Sequence, residues 1–89
     1  MRPATQNRHE QVDCGARVSV IREALALTGT EFAALVQPKL FTKFDKSKLS
    51  RLETGKRALN AREAFVIADL DPEQRGVRWL VLGEKEKRR

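Results

Sequence analysis

Residues 46–57, Lys-Ser-Lys-Leu-Ser-Arg-Leu-Glu-Thr-Gly-Lys-Arg, constrain this chain more than any other stretch. Asp45 is placed to cap a helix, and Gly55 is the residue type that ends one in the left-handed conformation. Between them there is room for one short helix, from about Asp45 to Thr54. Leu49 and Leu52 share one face of it. Lys46, Ser47, Ser50 and Arg51 occupy the others. The preceding segment, Thr28-Gly-Thr-Glu-Phe-Ala-Ala-Leu-Val36, supplies a supporting helix.

Start and stop signals recur on both sides. Asp13 suits the cap of a first helix running to about Leu27, with Val18, Ile21 and Leu25 repeating as a buried stripe. Thr28 and Glu31 form a capping-box pattern for the second helix, whose Phe32, Ala33, Leu35 and Val36 face the core. Pro38 stops that helix and pushes Gln37 toward extended geometry. Asn60 and Glu63 repeat the capping box and open a helix to about Asp69. Asp71, Pro72 and Gln74 give another start, with proline at the first helical position, and Gly83 ends the last helix. No segment sustains strand alternation. The pattern predicts an all-α chain of about five short helices, with a flexible arm over 1–12, a folded domain over 13–83 and a charged tail over 84–89.

At 89 residues the chain holds one domain with a small core. No apolar run approaches the ~20 residues of a membrane span, and residues 1–11 lack the apolar centre of a secretory signal. Cys14 is the one cysteine, so no internal disulfide forms, and a cytoplasmic setting is the simplest expectation. His9 is the one histidine. Five positions from Cys14, it makes a poor metal or nucleophile site, so neither a metal, a cofactor nor an enzyme activity is expected.

Charge points to a partner. Between Gln37 and Arg57 lie Lys39, Lys43, Lys46, Lys48, Arg51, Lys56 and Arg57, against Asp45 and Glu53. They account for most of the chain's net charge of +6. A short helix with a basic, hydrogen-bonding outer face suits the major groove of double-stranded DNA.

The order of these pieces resembles the phage repressor and Cro family of helix-turn-helix proteins over about residues 15–83. The likeness is carried by Ala33, by Leu49-Ser-Arg-Leu-Glu-Thr-Gly-Lys56 and by Arg78-Trp-Leu-Val-Leu-Gly83. It implies a lambda-repressor-like fold and a sequence-specific regulator, a repressor acting as a homodimer on a palindromic operator. By the same resemblance Lys46, Ser47 and Arg51 read base edges. Thr54, the Gly55 backbone, Lys56 and Arg57 match the family's end that meets the DNA backbone. Arg22 pairs with Glu53 and holds the reading helix at its angle. Trp79 falls on the closing helix, as core or dimer surface. Apart from the resemblance, Lys48 is expected on the DNA backbone, Ser50 either packs against it or only tolerates a tight helix approach, and Lys39 and Lys43 of the turn either reach flanking phosphates or belong to a lengthened loop without a role.

The chain departs from that pattern in the turn. The family's glycine is replaced by Gln37, and about six extra residues, Pro38 to Lys43, separate the two helices. Gly29 stands where the family often has a phosphate-binding glutamine, leaving only its backbone N–H. Leu40 and Phe41 are expected to anchor the insertion on the core beside Phe44.

Several alternatives stay open at this point. Val77, Leu80, Val81 and Leu82 serve either a dimer surface or the monomer core. Arg2 and Arg8 either enter a minor groove or only solubilise the arm. The scaffold could instead act mainly on a protein partner, as an antitoxin or inhibitor, with Leu40 and Phe41 as the anchor. Replacing Lys39 and Lys43 by alanine is expected to flatten the salt dependence of DNA binding; titrations across a salt series check this, and an unchanged slope removes both lysines from the interface.

Overall fold

A computed structural model describes the backbone of residues 8–84 and the side chains of residues 10–84. Five α-helices follow in order: α1 Arg8–Ala24, α2 Gly29–Val36, α3 Lys46–Glu53, α4 Ala61–Leu70 and α5 Val77–Leu82. A single 3₁₀ turn, Gln37–Lys39, follows α2. There is no strand among the described residues, so the all-α expectation holds. No helix there is long and apolar enough to cross a membrane.

One core joins all five helices. It gathers Val18 and Ile21 of α1, Phe32, Ala33 and Val36 of α2, Leu49 and Leu52 of α3, Ala64, Ile67 and Ala68 of α4, and Leu80 of α5. Leu40 and Phe44 plug it from the segment between α2 and α3. Burying each large aliphatic side chain contributes roughly 1.5–3 kcal/mol. An eight-residue helix is marginal alone, so Leu49 and Leu52 are what keep α3 folded.

The caps at Thr28, Asp45 and Asn60 form as the sequence predicts. Both capping boxes are complete, with Glu31 and Glu63 returning hydrogen bonds to the cap backbones. Gly55 sits at φ +79° and closes α3 with Lys56 N–H donating to the Arg51 carbonyl at 2.9 Å.

Four expectations are corrected. First, α1 begins at Arg8, so the segment expected to be an arm over 1–12 is helical from residue 8, and Asp13 lies exposed within the helix instead of capping it. Tertiary contact replaces the cap: Gln11 Nε2 donates to the Gly55 carbonyl at 3.2 Å, and Val12 lies against Gly55. At its other end α1 stops at Ala24 rather than Leu27. Ala26 adopts φ +60° there, while the Leu27 N–H donates to the Arg22 carbonyl. Arg2 lies outside the described residues, as do the Arg8 side chain and 85–89 of the tail. Glu84 pairs with Arg78 at 2.7 Å.

Second, Gln37 remains helical (φ −50°, ψ −47°), because Pro38 occupies the opening of the 3₁₀ turn, where a missing N–H costs nothing. Third, Leu35 is exposed: the buried stripe of α2 is Phe32, Ala33 and Val36, and Leu35 falls on its flank. Fourth, Pro72 does not open α5. The Asp71 carboxylate accepts from the N–H groups of Glu73 and Arg75 and from the Arg75 guanidinium, closing a turn on itself. The Arg75 hydrogen bond holds this buried carboxyl below its ordinary pKa. The chain then needs Gly76, at φ +94°, to enter α5.

The closest approach in the core is between backbones. A Cβ on Gly15 of α1 would lie 2.1 Å from the Leu52 carbonyl oxygen and 2.9 Å from that of Glu53. Gly15→Ala must therefore push α3 away from α1. We expect a loss of about 1–3 kcal/mol, read as a fall in melting temperature of several degrees or more in thermal unfolding.

Candidate nucleic-acid interface

Asp45 opens α3 by accepting from the Lys48 N–H at 3.0 Å. That hydrogen bond, with the nearby charges of Lys43 and Arg51, holds the Asp45 carboxyl below its ordinary pKa. The helix then runs for two turns with its leucines inward. Lys46, Ser47, Ser50 and Arg51 are all exposed on the outer side. Lys46 lies over the start of α2, close to Gly29. An open, shallow cleft there is bordered by Gly29, Lys46, Leu49, Ser50 and Thr54. The polar outer face predicted from the sequence is thus assembled on one surface.

The angle of that face is fixed by α1. Arg22 Nε donates to Glu53 Oε2 at 2.7 Å and Arg22 Nη2 to Glu53 Oε1 at 3.3 Å. A third donor, Arg22 Nη1, reaches the Leu27 carbonyl at 3.0 Å. The Glu53 hydrogen bond raises the Arg22 pKa, so the guanidinium stays charged at any working pH. The expected ion pair is present and bidentate, the geometry that gives a guanidinium its directional strength.

The residues expected on the DNA backbone divide. Lys39, Lys43 and Lys56 are exposed, and so is Ser50. Three others are engaged within the protein. Lys48 Nζ donates to the Lys43 carbonyl at 2.6 Å, bracing the loop before α3. Thr54 Oγ1 donates to the Ser50 carbonyl at 2.9 Å and finishes the helix. Arg57 makes two hydrogen bonds to the buried Glu63, at 3.2 and 2.8 Å, tying the α3–α4 connection to the cap of α4. The Gly55 backbone is also satisfied internally, donating to Leu52 and accepting from Gln11.

Arg62 is the residue the sequence reading missed. It sits exposed in the first turn of α4 with its guanidinium carbon 3.9 Å from the centre of the Phe41 ring. Its Nε lies 3.4 Å from the Lys39 carbonyl. The charged cluster was read as ending at Arg57, and only the fold brings α4 back to the inserted turn. Phe41 itself is 85% exposed, whereas Leu40 and Phe44 are buried. Half of the expected anchor therefore points outward. Among the described residues no group of three or more His, Cys, Asp or Glu side chains could hold a metal ion.

Comparison with family models, with curated proteins and with solved structures returned no match.

Glu53→Gln keeps the shape of the pair and removes its charge. It is expected to cost about 1–2 kcal/mol in chemical denaturation, with the loss absent when Arg22 is already alanine. An equal loss in both backgrounds means that the pair does not hold α3.

Proposed function

We propose that the protein is a sequence-specific DNA-binding regulator of the helix-turn-helix kind that its sequence resembles. In this reading α3 enters the major groove, with α2 lying across the backbone. The observation that carries it is the outer face of α3. Lys46, Ser47, Ser50 and Arg51 project together from a helix whose orientation is locked by Gly15 and by the Arg22–Glu53 pair. Arg51 and Lys46 can donate two hydrogen bonds to guanine O6 and N7, and Ser47 suits either base type. Lys39, Lys43 and Lys56 supply backbone attraction without reading sequence.

One copy covers too few base pairs for genomic specificity, so the reading includes a homodimer on a palindromic operator with half-sites about one helical turn apart. On the last helix Leu80 belongs to the monomer core, Val77 and Val81 are half-buried against it, and Leu82 is exposed. Of these four, Leu82 is thus the most accessible for a dimer surface. Repression follows by occlusion of the site, in a cytoplasmic setting. The exposure of Phe41 favours a second reading, an antitoxin or inhibitor that acts mainly by holding a protein partner.

Selection from a randomised DNA pool at ~150 mM salt tests the proposal, because weak backbone attraction alone is largely suppressed there. A palindromic motif is the expected result. Arg51→Ala should then weaken binding to that motif by about 10- to 100-fold and relax the preference at one position, with non-specific binding little changed. If nothing is enriched while low-salt binding persists, the face is only electrostatic, and the protein-partner reading takes first place.

A further inference from the structure

We propose that the turn inserted between α2 and α3 reads DNA beside α3, through an apolar contact from Phe41 to the C5-methyl group of a thymine, with Arg62 behind it on a phosphate. This inference rests on the DNA-binding reading of α3.

The inserted turn is built rather than slack. Leu40 and Phe44 are buried at its two ends. Between them the Gln37 amide donates to the Thr42 carbonyl at 3.1 Å and accepts from the Phe44 N–H. Lys48 secures the Lys43 carbonyl, and Arg62 reaches that of Lys39. A loop fastened at Lys39, Thr42, Lys43 and Phe44 holds Phe41 in one place, although the ring itself is left in water. Presenting a rigid aromatic side chain to solvent is unfavourable in the isolated chain and favourable once a partner covers it.

Arg62 covers one face of the ring, which leaves the opposite face and the edge open. Its two Nη groups make no hydrogen bond to the described residues, which leaves their donors for a ligand. Lys39 and Lys43, both exposed, stand two residues before and two residues after Phe41 in the chain. Phe41 is therefore an exposed apolar side chain in a basic loop with Arg62 on its ring, a charge pattern that suits a polyanion. The loop also runs straight into the first turn of α3, where Lys46 and Ser47 project. On this proposal a duplex held by α3 passes beside the loop. Within the major groove the thymine methyl is the apolar feature that a base edge offers, and a phenyl ring is one of the groups that can meet it. A guanidinium stacked on the ring then lies within reach of the adjoining backbone, where its remaining donors suit a phosphate.

The test repeats the pool selection with the wild-type chain, Phe41→Ala, Phe41→Leu and Arg62→Ala. Phe41 packs on no core residue, so equal melting temperatures for the Phe41 variants confirm that folding is intact. The wild-type motif should contain a thymine outside the positions assigned to α3. Phe41→Ala should lose that preference alone and bind the selected site about tenfold more weakly, while Phe41→Leu keeps part of it. Replacing that thymine by uracil removes only the methyl group. It should weaken the wild type by the same factor and leave Phe41→Ala unchanged. Arg62→Ala should lower the salt slope by about one. Identical motifs for wild type and Phe41→Ala, with no effect of uracil, overturn the inference and leave Phe41 to a protein partner. Absence of any wild-type motif defeats the reading of α3 first, and this inference with it, so the two failures are distinguishable.

Discussion

The contact on which the rest of the structure depends is the crossing of α1 and α3 at Gly15. No side chain separates the two helices there; the Leu52 carbonyl occupies the space a Cβ would need. Residues 11, 15, 18 and 22 lie along one stripe of α1, and each meets α3, the turn that ends it or the core beneath it. Gln11 holds the Gly55 carbonyl, Gly15 admits the backbone of Leu52, Val18 joins the core and Arg22 pairs with Glu53. A helix of eight residues thus inherits its rigidity from one of seventeen. A reading helix needs this support, since a side chain can offer paired hydrogen bonds to a base edge only if its backbone is held still.

The chain sorts its cations by chemistry. Arg17 donates to the Leu80 and Val81 carbonyls at the end of α5, Arg22 pairs with Glu53, Arg57 with Glu63, and Arg75 with Asp71 while lying over Trp79. These guanidiniums are half-buried; Arg17 and Arg22 join distant helices, while Arg57 and Arg75 close connections between neighbouring ones, tasks that suit a planar fork of donors. Lys39, Lys43, Lys46 and Lys56 are exposed and point to solvent, accompanied by Arg51 and Arg62. The same division places carboxylates in the interior: among the described residues Glu63 and Asp71 are the two buried acidic side chains, and each neutralises an arginine.

What was legible in the sequence was whatever is decided within a few residues. Thr28–Glu31, Asp45, Asn60–Glu63 and Gly55 act on their own helix ends, and each formed as read. The outer face of α3 followed from the spacing of Leu49 and Leu52. The misreadings have two causes. Asp13 is a good local signal that lost to a contact made far along the chain, Gln11 with Gly55, whereas at Pro72 one local signal lost to another, the Asp71 carboxylate turning back on Arg75. Arg57 reads as a phosphate contact until its partner, the buried Glu63, is brought beside it. Arg62 carries no local signal at all, since its relation to Phe41 exists only once α4 has folded back on the inserted turn.

The inserted turn shows how side chains can replace a tight backbone turn. Here Gln37 stays in the helical conformation and its amide closes the loop by binding Thr42 and Phe44. The reversal is thereby spread over residues 37–45, with Leu40 and Phe44 contributing buried apolar surface along the way. The ordering of those residues is offset within the monomer by hydrogen bonds and burial, rather than at the moment of binding. A loop already ordered in the free protein can present Phe41, Lys43 and Arg62 at fixed positions relative to α3. The turn is thus ordered without loosening the helix it precedes.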